Sequence, residues 1–480
     1  MTSIKKQALS GIKWNSVAKI TTDILSVVQL MIVARYIDKA DFGTMSIIHV
    51  VLGIVALFND LGMHAAIMHK QNITNNQYNS LYWFNWIFNA FIFVIVCIAA
   101  YPVSLFYNDE RLVFLICLAA LGILFAPFGK IFNTVKQKNL EFGFISKIGV
   151  IGNFIVFITT LLFCFLGFGI YALIIPVLLR SIYGAIVLSI EGRKEFKIRL
   201  HFNILEIKDF FKIGIYDTAS QLMDYLSYKI DVILIGRLFG LEVLGLYNMG
   251  KELALKTMKM LNPIINSIAT PILSKLQNEP EKIKLNYSRI LSFVGFINIP
   301  ILIALSIFSE EVVSLFFSEK YANAATFVRI LAFWGIFASI GNPAGNLVIA
   351  KGRTDISFKW TIIRFICAPI TIYIASFFQV EAIAFSQVFL QSIFFFIYWY
   401  MMISPLSGLN LIEYVGSFSN SILCAAIASI PTLLFAMNVT LDSQLAYLII
   451  GCAIFAITYL ILTYFTNKKL INFFIGLIKK

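Results

Sequence analysis

The sequence predicts an all-α, polytopic membrane protein with about fourteen transmembrane helices. Hydrophobic residues make up 59% of the 480 positions and charged residues only 13%, whereas soluble domains carry about a quarter charged residues. Apolar runs of about 20 residues recur along the whole chain, and this is the length that a helix needs to cross the hydrocarbon core. Spanning β-strands are about half as long and alternate in polarity, so we interpret the runs as helices.

Polar breaks between the apolar runs define the expected spans. The fifth and sixth spans are the least separated, because only Gly167-Phe168-Gly169 stands between them. The expected spans lie near residues 14–37, 42–66, 82–107, 111–132, 147–168, 170–190, 210–236, 241–267, 288–316, 323–350, 357–378, 381–403, 412–437 and 444–466.

The placement of basic residues predicts the orientation in the membrane. With the N-terminus inside, the alternate loops on the inside collect most of the Lys and Arg residues, whereas the outside loops carry only Lys39, Arg111, Arg237 and Lys320. This asymmetry follows the positive-inside rule for an even number of spans with both termini cytoplasmic. The net charge of +13 is therefore interpreted as an orientation signal, and we expect no nucleic-acid partner.

The first two spans resemble the seventh and eighth. A shift that places Arg35 on Arg237 also places Gly43 on Gly245. Polar residues on one helix face superpose as well, because both sets have the spacing i, i+4, i+7, i+11, i+14. The two sets are Asn15, Lys19, Thr22, Ser26 and Gln29 in the first span, and Asp217, Gln221, Asp224, Tyr228 and Asp231 in the seventh.

Six spans separate the two copies, so both copies have the same orientation and form a parallel repeat, as in several secondary transporters. We expect an N-terminal six-helix lobe at 1–208, a second at 209–404, two additional helices at 405–466 and an amphipathic cytoplasmic tail at 467–480. Two such lobes would place a cavity between them. The alternative is that two amphipathic membrane helices align by chance.

Charged residues inside the expected spans are the candidates for function, because a charge in the bilayer is costly unless it faces water or protein. One interpretation is structural: Asp224 pairs with Lys229, or Glu252 with Lys256, and fixes helix packing. The functional interpretation is that cations compensate an anionic substrate and carboxylates couple transport to protons or sodium. The substrate-binding candidates are Lys19, Arg180, Lys251 and Arg364, and the ion-coupling candidates are Asp217, Asp224 and Asp231.

Motifs for catalysis are absent from the sequence. There is no Walker A motif, HExxH, GxSxG or glycine-rich dinucleotide loop. The six cysteines lie inside apolar runs without metal-ligand spacing. We therefore predict no metal, no cofactor and no enzymatic activity.

Several stretches resemble a known family. The segment VARYIDKADFGTMSI (33–47) is similar to the ARxLxPxDFG signature of Wzx-type polysaccharide flippases, although Asp38-Lys39-Ala40 stands where proline is usual. NDLGMHAAIMHKQNIT followed by SLYWFN, within 59–85, resembles a second landmark of that family. FNTVKQKNLEF (132–142), TPILSKLQNEPEKIK (270–284) and AKGRTD (350–355) resemble further landmarks, in the same order. The subgroup that the chain resembles most is that of the colanic acid and teichuronic acid exporters.

This resemblance implies membership in the multidrug/oligosaccharidyl-lipid/polysaccharide exporter superfamily. It implies two six-helix lobes around a V-shaped cavity that opens alternately to each side of the membrane. It also implies a polyprenyl-diphosphate-linked oligosaccharide as substrate, carried across a bacterial plasma membrane, with other polysaccharide assembly proteins as possible partners. The expected role of Lys19, Arg180, Lys251 and Arg364 is then to hold the diphosphate while the polyprenyl tail stays in lipid.

Three alternatives stay open at this point. A multidrug antiporter of the same superfamily would bind cations, and the cationic residues argue against it. A membrane polymerase or ligase acting on lipid-linked glycans would need a sizeable outside loop, and the expected loops are short. A scaffolding membrane protein would have little use for duplicated charged spans.

Overall fold

The computed structural model describes residues 2–468 except 60–62, 64–66, 69, 71–72, 195–196 and 209–213. The side chains of 2–17, 20, 214–217, 264 and 267–268 are also outside the description. Helices dominate these residues, and no β-strand occurs among them. The all-α prediction is confirmed, and the predicted tail at 467–480 lies almost wholly outside the described part of the chain.

The chain forms two compact units, Met1–Gly245 and Leu246–Lys480. The first unit contains α1 (Thr2–Tyr36), α2 (Lys39–Phe58), α3 (Asn75–Tyr107), α4 (Arg111–Lys138), α5 (Phe142–Phe165), α6 (Tyr171–Gly192), α7 (Gly214–Leu238) and the first residues of α8 (Leu241–Lys275). The second unit contains the rest of α8, then α9 (Pro280–Ile307), α10 (Ser309–Phe316), α11 (Ala324–Gly341), α12 (Pro343–Lys351), α13 (Thr354–Ala375), α14 (Val380–Tyr398), α15 (Leu411–Asn438) and α16 (Gln444–Thr466).

Within the described residues, 11 helical segments are long and apolar enough to cross a membrane. Three further long helices, α1, α7 and α8, contain five of the seven charged candidates, whereas Arg180 lies on α6 and Arg364 on α13. Multiple spanning helices make the chain a multi-pass membrane protein. The total of fourteen spans stays a prediction, as does the division into lobes at residue 208.

Helix boundaries follow local signals. The fifth and sixth predicted spans are separate helices, because Gly167 (φ 74°) and Gly169 (φ 55°) adopt left-handed backbone conformations between α5 and α6. The segment expected as one span at 288–316 instead divides into α9 and α10 after Ile307. The next span is interrupted before Pro343, where α11 ends and α12 begins with proline in its first turn.

Each unit is held together by helix-on-helix packing. In the first unit α1 packs on α5, α5 on α6, α4 on α3 and α6, and α2 on α7. In the second unit α9 packs on α11 and α15, and α15 packs on α16. A polar contact reinforces the α9–α15 pair: the hydroxyls of Ser288 and Ser417 are 2.7 Å apart, and Ser292 donates to the carbonyl of Ser417 at 2.6 Å. The two C-terminal helices are therefore anchored to the second unit by α9.

Candidate functional site

A polar cavity of about 250 Å³ lies between α1 and α5 in the first unit. The ammonium of Lys19 lies 3.2 Å from the carboxylate of Asp23, one helical turn away, and both side chains face this cavity. The Lys19 side chain is 44% exposed and that of Asp23 is 18% exposed. The lysine is thus the more accessible partner of the pair. The cavity is lined by Ala18, Lys19, Thr22, Asp23, Ser146, Gly149, Val150 and Asn153.

The polar face of α1 is partly used for packing against α5. The amide of Asn153 donates to the hydroxyl of Thr22 at 2.9 Å, and the amide of Gln29 donates to the hydroxyl of Thr160 at 3.1 Å. Thr160 is fully buried. Two residues of the polar face predicted for the first span, Thr22 and Gln29, therefore join α1 to α5.

Arg180 of α6 lies against the same helix, α5. A Cβ atom added at Gly152 would lie 3.2 Å from Cγ of Arg180, so the aliphatic part of the arginine crosses α5 where no side chain obstructs it. Gly152 immediately precedes Asn153 of the cavity lining. Two of the four predicted cations, Lys19 and Arg180, are thus placed beside one short stretch of α5. Arg180 itself is not among the residues that line the cavity.

The other two predicted cations belong to the second unit. Lys251 on α8 is buried, with 4% of its surface exposed, and its ammonium lies 5.9 Å from the ring centroid of Tyr247. This distance permits a cation–π interaction. Arg364 is half-buried on α13.

The ion-coupling candidates lie on α7. Asp231 is fully buried, and its carboxylate accepts a hydrogen bond from the backbone N–H of Val232 at 2.8 Å. Asp224 is half-buried. The side chain of Asp217 lies outside the described residues. On α8, Glu252 forms an ion pair with Lys259 at 2.7 Å, so this carboxylate has a structural partner on its own helix.

The start of α2 contacts the start of α8 closely. A Cβ atom at Gly43 would lie 1.9 Å from the carbonyl oxygen of Leu241, and one at Gly245 would lie 2.0 Å from that of Lys39. The same two helix starts are also joined by an ion pair, in which the ammonium of Lys39 lies 3.0 Å from the carboxylate of Glu242. Nearby, the hydroxyl of Tyr225 on α7 donates to the carbonyl of His49 on α2 at 3.0 Å.

The second unit contains an apolar cavity of about 510 Å³ between α9, α10 and α16. Phe296, Pro300, Phe308 and Phe455 are among its lining residues, and none of the residues that line it is charged. It is therefore suited to hydrocarbon and not to an anionic group.

Sequence reasoning missed the contribution of α5. Asn153 and Thr160 carry the polar contacts to α1, Ser146 lines the cavity, and Gly152 accommodates Arg180. The available signal was their spacing: three polar residues recur every seven positions in an otherwise apolar span, which places them on one helix face. Among the described residues, no group of three or more His, Cys, Asp or Glu side chains is placed to hold a metal ion.

Known structures share this fold. A lipid II flippase, MurJ, in an inward closed conformation superposes with a TM-score of 0.75 at 16% sequence identity, covering 95% of this chain and 99% of that one. A multidrug resistance MATE family transporter in an inward-facing conformation superposes with a TM-score of 0.65 at 16% identity, covering 81% of this chain and 96% of that one.

Sequence relatives span most of the chain. The lipopolysaccharide biosynthesis protein WzxC of Escherichia coli (strain K12) is 28% identical over 454 residues, which is 92% of this chain and 90% of the relative. The teichuronic acid biosynthesis protein TuaB of Bacillus subtilis (strain 168) is 31% identical over 361 residues, 75% of this chain and 74% of the relative. A family model described as polysaccharide biosynthesis protein matches residues 32–326. The chain therefore belongs to the polysaccharide biosynthesis protein family.

Proposed function

We propose that this chain translocates a lipid-linked oligosaccharide, a polysaccharide repeat unit on polyprenyl diphosphate, across the bacterial plasma membrane. The observation that carries the proposal is the extent of the match to WzxC, a lipopolysaccharide biosynthesis protein, over 92% of the chain. The relation to TuaB, a teichuronic acid biosynthesis protein, and the fold shared with the lipid II flippase MurJ support the same substrate class.

The proposed mechanism is alternating exposure of the substrate to the two sides of the membrane without covalent chemistry. Lys19 and Arg180 beside α5, together with Lys251 and Arg364 of the second unit, compensate the diphosphate charge. Asp217, Asp224 and Asp231 couple the cycle to protons or sodium. The accessible Lys19 supports this role, because its ion pair with Asp23 at 3.2 Å leaves 44% of its side chain exposed. The polyprenyl tail stays in hydrocarbon throughout.

We also propose the orientation that the basic residues predict, with both termini in the cytoplasm. The cations at the ends of α4 and α6, such as Lys138 in the last turn of α4 and Lys194 just after α6, then lie on the cytoplasmic side. The contact between the starts of α2 and α8 lies on the outer side. Polysaccharide assembly proteins of the same pathway are the expected partners.

The test is a transfer assay in proteoliposomes that contain a fluorescent polyprenyl-diphosphate oligosaccharide. Protein-dependent exposure of the sugar to an added lectin or glycosidase measures translocation. We expect transfer above that of empty liposomes and its loss in the Lys19→Ala/Lys251→Ala variant. A matched control is Lys194→Ala, because that lysine is exposed and pairs with Glu191 on the surface. Transfer by the double variant at the normal rate would contradict the proposed diphosphate contact.

A multidrug antiporter is the second candidate, because a MATE transporter shares the fold with a TM-score of 0.65. An antiporter of cationic drugs is expected to confer drug resistance on a sensitive host and not to translocate the lipid-linked sugar. Absence of sugar transfer by folded protein under proton, sodium and voltage gradients, together with drug resistance, would favour this candidate.

A further inference from the structure

The connection between α6 and α7 is held on the start of α3. We call its described part, residues 197–208, the strap. The indole N–H of Trp83 donates to the carbonyl of Arg199 at 2.9 Å, and the side-chain oxygen of Asn79 accepts from the N–H of Arg199 at 2.7 Å. The hydroxyl of Ser80 accepts from the N–H of Asn203 at 3.1 Å. Side chains of α3 thus satisfy backbone groups of the strap and fix its conformation.

The inner side of the strap belongs to the core of the first unit. Ile207 is fully buried in a cluster with Leu81 and Phe132, and Ile198 packs against the same cluster. These two anchors near the ends of the strap determine which of its other side chains point away from the protein.

The outer side of the strap exposes four large apolar residues, which we call the strap ridge. Leu200 is 92% exposed, Leu205 78%, Ile204 56% and Phe202 49%. Exposing such a group to water is unfavourable, and contiguous exposed apolar residues mark a surface that contacts a partner or a membrane. Since the backbone is hydrogen-bonded and Ile198 and Ile207 are anchored, the exposure of the ridge is a consequence of the fold.

The charges around the ridge have one dominant sign. Lys197, Arg199 and Lys208 are exposed on the strap. The only carboxylate within 197–208 is that of Glu206, which lies 3.1 Å from Nε2 of His201. The outward-facing charges of the strap are therefore cationic, and an anionic surface complements them.

The strap also lies at the membrane face of the helices that hold it. It follows α6, which ends at Gly192, and it is bound to residues 79–83 of α3. Both helices are candidate membrane spans, and the apolar run of α3 is expected to begin near residue 82, so the strap is bound at the level where that span enters the headgroups.

We propose that the strap ridge inserts into the headgroup region of this membrane face and that Lys197, Arg199 and Lys208 bind anionic lipid. An apolar ridge flanked by basic residues is the composition of segments that lie in the membrane interface. The occupant is the bilayer in which the protein already sits, since the ridge follows one candidate spanning helix, α6, and is hydrogen-bonded to another, α3. Lipid contact then fixes the strap, the described part of the connection between α6 and α7.

The test uses the full-length chain with an environment-sensitive fluorescent amino acid introduced at Leu205 by stop-codon suppression. The protein is reconstituted in vesicles of phosphatidylcholine alone or with phosphatidylglycerol. Quenching by brominated lipid reports insertion, and quenching by iodide reports contact with water. The control position is Asn278, an exposed residue in the polar connection between α8 and α9 that has no apolar ridge.

We expect brominated lipid to quench the label at 205 about threefold more than the label at 278, with a further increase when phosphatidylglycerol is present. Replacing Lys197, Arg199 and Lys208 by Gln is expected to remove that further increase. Equal iodide access at 205 and 278 in all vesicles would overturn the proposal. Protection of the label at 205 from iodide that depends on the density of protein in the vesicles and not on the lipid would also overturn the proposal. It would assign the ridge to a contact with a second copy of the chain.

Discussion

Gly43 and Gly245 occupy equivalent positions in a reciprocal contact. Gly43 faces the backbone carbonyl of Leu241, and Gly245 faces that of Lys39. A Cβ atom added to Gly43 would lie 1.9 Å from the carbonyl oxygen of Leu241, and one added to Gly245 would lie 2.0 Å from that of Lys39. The alignment that places Gly43 on Gly245 also places Lys39 on Leu241. Gly43 therefore contacts Leu241 and Gly245 contacts Lys39, and the two contacted residues are themselves equivalent in the alignment. Such reciprocity is what an internal duplication with a local two-fold relationship produces.

Replacing either glycine by alanine is expected to force these helix starts apart. A methyl group so close to a backbone carbonyl cannot be accommodated by a side-chain rotation, and overpacking of this kind costs about 1–3 kcal/mol. We expect Gly43→Ala and Gly245→Ala to lower the thermal stability of detergent-solubilised protein, measured by fluorescence-detected size exclusion, and to lower transport. Gly184→Ala is the control, because a Cβ there meets nothing within 4 Å. Normal stability of both variants would disprove the close approach.

The ion pair between Lys39 and Glu242 predicts how stability changes when one charge is reversed and when the two charges are exchanged. Exposed pairs contribute about 0–1 kcal/mol, and this one has side-chain exposures of 25% for the lysine and 64% for the glutamate. Lys39→Glu places two carboxylates together and is expected to reduce stability by up to about 1 kcal/mol. The double variant Lys39→Glu/Glu242→Lys is expected to recover most of the stability that Lys39→Glu loses. Thermal unfolding of the four proteins tests this, and a double variant no better than Lys39→Glu would argue against the pair.

Apolar runs predict where the helices lie but not where they end. The third span was expected to begin near residue 82, whereas α3 begins at Asn75 because Thr74 and Gln77 form a capping box. This T-x-x-Q pattern could have been recognised in the sequence. The break after Ile307 was harder to predict, because the polar run Ser309-Glu310-Glu311 continues as a helix after a single interrupted residue.

The candidate site was predictable only within one helix. The spacing of Lys19 and Asp23 places both on one face of α1, so their ion pair follows from helix geometry. The partners Asn153 and Thr160 lie on α5, more than a hundred residues later. Which apolar helix packs on α1 depends on the three-dimensional arrangement of all helices in the unit, and hydropathy carries no information about that choice.

Lys138 is expected to contribute to stability and not to transport chemistry. Its ammonium donates to the carbonyls of Ile67 and Lys70 at 3.0 and 2.5 Å, so it satisfies backbone acceptors of the segment after α2. Removing this donor costs about 1–3 kcal/mol. We expect Lys138→Met to lower the melting temperature and the yield of folded protein. For Lys138→Arg we expect values between those of Lys138→Met and those of the unchanged protein.

The control for that variant is Lys194→Met, because the partner of Lys194 among the described residues is the half-buried carboxylate of Glu191, and no backbone carbonyl there accepts from it. Melting curves in detergent distinguish the two lysines. Equal melting temperatures for the Lys138 and Lys194 variants would mean that the carbonyl contacts add no measurable stability.

The ion pair of Lys19 and Asp23 allows the structural and functional interpretations of a membrane charge to be separated. If Lys19 serves only to neutralise Asp23, then Lys19→Ala leaves a partly buried carboxylate unpaired, and this alone impairs the protein. Removing the carboxylate as well, in Lys19→Ala/Asp23→Ala, would then restore transport. If Lys19 contacts the diphosphate, the double variant stays inactive, since the cation is still missing. The two interpretations therefore predict opposite results for one protein.

We expect the second result: Lys19→Ala and the double variant both lose transfer of the lipid-linked sugar, while the double variant recovers the stability lost in the single one. Asp23→Asn is expected to retain transfer, because it keeps the lysine and removes the competing carboxylate. Transfer rates in proteoliposomes and melting temperatures of the same preparations provide the two readouts. Recovery of both transfer and stability in the double variant would make Lys19 a structural residue, and the diphosphate contact would then depend on Arg180 and the cations of the second unit.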